Sequence, residues 1–209
     1  MAKNINIKNK KNTVVFTDID KDFQKLLEEF RNSDKTKSII MTKSREIIKS
    51  SKQAIYSIHR NEPSKAKKNI KDIELELSKL KTKFKQSELK SINMYKGALQ
   101  EYVEARTFLD FIVTGKVSSS SKLKINYHDY LCGLADLTGE LGRYCVMSAT
   151  SNQYGKVKEI RNFIDYLLGK FLQFDFNNGE LRKKYDSIKW NLSKIEGILY
   201  DYTLKKSKW

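Results

Sequence analysis

The sequence predicts an all-α protein, a single-domain antiparallel bundle of six to seven helices. Two observations carry that expectation. The 209 residues include one proline and nine glycines. Apolar side chains recur at helical period along most of the chain. A chain of this length can bury a sizeable core without disulfides or a metal staple. The expected organisation is a flexible basic tail over residues 1–13 and one helical domain over 14–209, with no internal repeat and no linker.

Taken in order, Thr17 with Asp18 and Asp20 marks a helix start, because acidic residues suit the positive end of a helix. The first helix is expected to reach Arg31, with Phe23, Leu26, Leu27 and Phe30 as its apolar stripe. Asp34 is expected to cap a second, ending near His59, with Ile40, Ile47, Ile48, Ile55 and Ile58 facing inward. Pro63 ends that run and suits the first turn of the next helix. This third helix, 64–85, has Ile70, Ile73, Leu77, Leu80 and Phe84 on one side and lysines on the other. A fourth is expected from Ser87 to just before Gly115. Residues 116–126, with four consecutive serines, read as a flexible loop. Further helices are expected over 127–149, 156–173 and 180–204, the last two separated by the turn-forming Asn177-Asn178-Gly179.

The chain has 41 Lys and Arg against 25 Asp and Glu, a formal charge of +16. A polyanion, above all nucleic acid, is the natural partner. The alternative is an AT-rich genome that inflates Lys, Asn and Ile. Cys132 and Cys145 share no metal-ligand spacing and read as reduced core residues. The lysine-rich start has no apolar run of a signal peptide, and no stretch has the length of a membrane span. The expectation is a soluble cytoplasmic protein with no membrane association.

Two stretches stand out, LQEYVEARTF at 99–108 and DYLCGLADLTGEL at 129–141. Glu101 and Glu104 are spaced i,i+3, and Asp136 and Glu140 i,i+4, so each pair shares one helix face. The first face continues through Gly97, Phe108 and Phe111, as a buried face does. Burying a carboxylate without a counter-charge costs several kcal/mol. A divalent cation resolves that cost, and inward carboxylates on helices are how bundles build metal sites. Oxygen-only donors suit Mg²⁺ or Mn²⁺, and no histidine on these stripes suggests zinc or di-iron. The alternative is ordinary ion pairing, Glu101 with Lys96 or Arg106 and Glu140 with Arg143. Spacing alone does not decide between the two.

These two motifs together resemble the translin/Trax family, and within it the catalytic Trax-type subunits. The segment ELRKKYDSIKWNLSKIEGILYDYTLKK is similar to the family's C-terminal helix in its translin-type form, and SREIIKSSKQAIYSIHR is similar to its long early helix. The resemblance spans residues 34–206. It implies an all-helical subunit that assembles into a closed octamer and binds single-stranded RNA or DNA. For the Trax-type motifs it implies a Mg²⁺-dependent endoribonuclease site facing an inner chamber. By matching motif, Glu101, Glu104 and Asp136 are the expected catalytic and metal-binding residues, with Glu140 as a fourth member. The family's acidic residue one turn earlier has no counterpart here, where Gly97 and Ala98 stand. Trax-type carboxylates and a translin-type last helix in one chain suggest a homo-octamer, and the single catalytic-type chain suggests a microbial, archaeal source.

Lys81, Lys83, Lys85 and Lys90 precede the first acidic helix where the family carries its nucleic-acid-binding stretch. Lysines there supply phosphate contacts without base readout. Arg143 is a further candidate for the scissile phosphate, although pairing with Glu140 is the favoured reading. His128 reads as a capping or surface residue, and Tyr102, Tyr127 and Tyr130 as core or interface rather than base-stacking groups. The sequence thus points to a Mg²⁺-dependent endoribonuclease acting on single-stranded RNA. Its alternative is a non-catalytic single-stranded RNA- or DNA-binding protein, and a more distant one is a helical scaffold for protein partners.

Overall fold

A computed structural model describes residues 17–206; the tail expected over 1–13 lies outside them. The chain divides into two compact units, one ending at Ile39 and one beginning at Ile40. Eight helices are described, six of them long, and no strand occurs among the described residues. The first, α1 (Thr17–His59), is continuous for 43 residues. The break expected between Arg31 and Asp34 is absent, because Asn32, Ser33 and Asp34 only lower helix propensity and none removes a backbone donor as proline does.

In the first unit the stripe expected to face a core is open to solvent, with Phe23 65% and Phe30 67% exposed and Ile19, Leu26 and Leu27 alongside. In the second unit Ile40, Ile47, Ile55 and Ile58 are buried, as their spacing requires.

Pro63 opens α2 (Pro63–Lys83) at a first-turn position, after a turn in which Asn61 takes the left-handed conformation. The expected fourth helix is two helices, α3 (Gln86–Ser91) and α4 (Asn93–Thr114), because Ile92 between them is extended. The Ile92 side chain is buried, so the break is part of the packing. Gly115, at φ 69°, ends α4 in the left-handed conformation expected of it. The serine-rich segment is more ordered than expected. Ser119 Oγ accepts from Lys122 N–H and caps α5 (Ser120–Leu123), while the Ser118 carbonyl accepts from Tyr130 Oη at 2.9 Å. Asn126 caps α6 (Tyr127–Thr150) by accepting from Asp129 N–H at 3.1 Å. The chain finishes with α7 (Tyr154–Phe171) and α8 (Glu180–Lys206).

Helices joined by short turns lie antiparallel. Lys43 of α1 meets Glu76 of α2, Arg106 of α4 reaches back to Glu74, and Tyr154 of α7 stacks on Tyr202 of α8. The helices bearing the acidic motifs are instead joined by a crossover through α5, and they run in the same direction. Gln100 meets Asp129 near one end of that pair, and Phe108 meets Tyr144 near the other. Gly133 lets them approach. A Cβ there would lie 2.6 Å from Val103 Cβ and 2.7 Å from the Gln100 carbonyl oxygen. Next to α6, α8 also runs parallel, with Lys184 at Asp136 and Asn191 at Thr138.

Candidate metal centre and nucleic-acid interface

The close α4–α6 packing brings the two acidic pairs into one electrostatic cluster. Each of its carboxylates is partly buried, and each has a different environment. Burial pushes Glu101 above the ordinary carboxylate range, opposed by Lys52 of α1, whose Nζ lies 3.4 Å away. Burial also pushes Asp136 up, opposed by Lys184 of α8, which donates to both Asp136 oxygens at 2.6 Å. Glu140 is held below its usual range, chiefly by its hydrogen bond to His59 Nε2 at 2.5 Å. Arg143 reaches the same carboxylate at 3.8 Å, the pairing the sequence favoured for it. The pairing offered for Glu101 and Arg106 does not form, since Arg106 goes to Glu74 and Asp110.

Glu104 is the exception. Its carboxylate forms no ion pair among the described residues, and burial, then the charges of Asp136, Glu101 and Glu140, raise it to about 8 against a smaller opposing pull from Lys184. An acid this uncomfortable as an anion marks a place short of positive charge. All four donors are hard carboxylate oxygens, so Mg²⁺ or Mn²⁺ fits their chemistry. These four are not among the described groups whose ligand atoms lie within 4.8 Å of one another, and Asp136, Glu101 and Glu140 each pair with a basic side chain. A cation here competes with Lys184 and Lys52 for its ligands.

One other trio does bring its ligand atoms within 4.8 Å of one another, namely His128, Cys132 and Glu180. His128 is half-buried and Glu180 exposed, and burial pushes the Cys132 thiol up to about 12, so it stands protonated beside them. Cys132 and Cys145 are both free and buried, as expected of core residues.

The four candidate lysines separate. Lys81 and Lys90 line one cavity together with Lys96 and Lys124. Lys83 lies over the Phe84 ring instead, and the Lys85 backbone N–H is taken by Glu88. Tyr102 is buried and donates to Glu74, and Tyr130 donates to Ser118, so neither is free to stack on a base. Tyr127 is 73% exposed.

His59, Lys52 and Lys184 were not legible as site residues. His59 is buried against Phe108, with ring centroids 5.0 Å apart, and its Nδ1 has no partner. Only the alignment of α1 and α8 beside the acidic helices puts these three there.

An all-helical protein with a buried acidic seam beside a lysine-lined cavity is the class that this fold and site define. The Translin family model matches residues 34–206, and the chain belongs to that family. It is similar to the Translin-associated protein X homolog of Schizosaccharomyces pombe, at 30% identity over 209 residues covering 88% of this chain and 87% of that one. It is also similar to human Translin, at 26% identity over 156 residues and 68% of each chain. Among solved structures, apo-NeC3PO superposes with a TM-score of 0.76 at 25% identity, covering 85% of this chain and 95% of that one. AfC3PO, at 22% identity, gives 0.77 and covers 88% and 97%; AfC3PO has also been solved in complex with duplex RNA. No described helix is long and apolar enough to cross a membrane.

Proposed function

We propose that this chain is a Mg²⁺- or Mn²⁺-dependent endoribonuclease that cuts single-stranded RNA within a homo-oligomer, an octamer in its simplest form. The observation that carries this reading is Glu104, a carboxylate with no ion pair of its own inside a cluster of three more. Glu101, Glu104 and Asp136 would hold the cation and Glu140 would ligate it or orient water. Such an ion neutralises charge on a phosphodiester oxygen and makes bound water a better nucleophile. The +16 charge supplies the attraction for RNA. The similarity to a Translin-associated protein X homolog and to C3PO structures supports both the activity and the assembly. The exposed apolar stripe of α1 supports the assembly alone, being the sort of surface that oligomers cover.

A second reading is a non-catalytic single-stranded RNA- or DNA-binding assembly. What favours it is that Lys52, Lys184 and His59 already compensate three of the four carboxylates. Cleavage of an end-labelled single-stranded RNA separates the two. Cutting in Mg²⁺ that stops in EDTA, and stops in E104Q and D136N variants that still fold and bind, is the expected result. Tight binding with no cutting in either Mg²⁺ or Mn²⁺ overturns the nuclease reading in favour of the second.

A further inference from the structure

Apart from the acidic seam, one cluster of donor side chains joins α6 to α8. His128 and Cys132 are spaced i,i+4 on α6, which puts both on one face of the helix. Glu180 is the first residue of α8, and one donor atom from each of the three lies within 4.8 Å of the other two. Cys132 Sγ is 3.9 Å from His128 Nδ1, and a Glu180 oxygen is 3.8 Å from His128 Nε2. Donors on one tetrahedral zinc ion stand about 3.4–3.6 Å apart, given metal–ligand bonds of about 2.0–2.3 Å. Turning the His128 and Glu180 side chains, which solvent reaches, can close that gap.

Donor chemistry separates this place from the acidic seam. Four carboxylates suit a hard cation, whereas imidazole nitrogen, thiolate sulfur and a single carboxylate suit Zn²⁺ and its chemical neighbours. Cys132 is fully buried, while His128 and Glu180 line a surface cavity, so an ion has a path to the thiol from the solvent side. Asp129 Oδ1 lies 3.6 Å from His128 Nδ1, close enough to orient the imidazole, and Asn126 and Gln100 hold Asp129 in turn. Lys184 favours the Cys132 thiolate over the thiol, and its own charge is taken up by Asp136.

We propose that His128, Cys132 and Glu180 bind one Zn²⁺-like ion per chain, with water as the fourth ligand, and that this ion fastens the start of α8 to α6. On binding, the Cys132 S–H bond breaks, a sulfur–metal bond forms and the proton leaves to solvent. The thiolate and the Glu180 carboxylate then balance the two positive charges of the ion. Cys132 stands one turn before Asp136, and Glu180 one turn before Lys184. The metal contact and the Lys184–Asp136 pair are therefore successive rungs between the same two helices, and the ion would brace the contact that keeps Lys184 in place.

The test titrates Co²⁺, a spectroscopic stand-in for Zn²⁺, into the full chain in a large excess of Mg²⁺, so that oxygen-only sites are already taken. One equivalent should give a near-ultraviolet thiolate-to-cobalt charge-transfer band and the visible bands of tetrahedral cobalt, and Zn²⁺ should bleach both. The chain has two histidines and two cysteines in all, and the other two, His59 and Cys145, are buried. C132S should therefore lose the charge-transfer band and C145S should keep it. H128A and E180Q change side chains that solvent reaches, so both should fold, and each should weaken Zn²⁺ binding about tenfold or more against a chromophoric chelator. E104Q should keep the spectrum, because the seam is no part of this site. Equimolar Zn²⁺ should raise the urea midpoint of the parent and leave that of H128A unchanged. A parent chain without a thiolate band, or a band that survives in C132S, overturns the site. Zn²⁺ binding that leaves the parent's unfolding midpoint where it was overturns the fastening of α8.

Discussion

Lys184 donates to both carboxylate oxygens of Asp136 at 2.6 Å, from a helix running parallel to the one that carries the aspartate. The ammonium is the counter-ion of Asp136, and on the proposed reading it would compete with a bound metal for that carboxylate. Replacing it with methionine keeps the length of the side chain and removes the charge. K184M should lower metal-free stability by about 2 kcal/mol, measured by urea unfolding in EDTA. Mg²⁺ should then stabilise K184M more than the parent protein. Equal Mg²⁺ responses would show that Asp136 is not a ligand.

Glu104 gives the site a pH signature. Its folded-state value of about 8 lies above the usual 4.5, mainly through burial, so the folded chain binds this proton more tightly than the unfolded one. The contribution is full below pH 4.5 and is lost as the pH rises towards 8. E104Q removes the titration. In EDTA at pH 8 the variant should be more stable than the parent by something on the order of 2 kcal/mol, with the difference vanishing near pH 4.5. Unfolding curves across that window provide the check, and a pH-independent gap would rule the assignment out.

At Gly133 the constraint is steric. An added methyl would press on Val103 and on the backbone carbonyl of Gln100, and a backbone atom cannot swing aside as a side-chain tip does. G133A should cost about 1–3 kcal/mol and separate α4 from α6. Cleavage should fall further than stability alone explains. A variant that keeps full activity per folded molecule would show that the helix separation is not critical.

The exposed α1 stripe makes a prediction about assembly. F23E/F30E places two charges on side chains that are 65% and 67% exposed, so helix content and unfolding of the single chain should change little. Light scattering should show a loss of mass relative to the parent. An unchanged mass would locate the subunit contact elsewhere.

Much of the architecture was legible because helix signals are local. Pro63 and Gly115 punctuate the chain where their backbone constraints require it, and the isoleucines of the second half of α1 lie inward as their period demands. The breaks were harder to read. Asn32–Asp34 looks like a boundary yet is helical, while Ile92, an ordinary apolar residue, is extended and buried between two helices. Periodicity also misled at Phe23 and Phe30, since a stripe records that a face is apolar and not what covers it. The acidic pairs could be placed on two faces from their spacing. Their neighbours could not, because Lys52, His59 and Lys184 come from helices far away in sequence.

The side chain that neutralises Asp136 belongs to the final helix, nearly fifty residues further along the chain. During synthesis the acidic helices α4 and α6 emerge first and can pack on each other before Lys184 exists. Until α8 docks, that nascent intermediate carries Asp136 without its ammonium and Thr138 without Asn191. Closing the last helix is therefore coupled to discharging the site. A chain stalled before α8 should hold divalent cations in place of the missing lysine, so Mg²⁺ would act on it as a folding aid before it could act on any substrate.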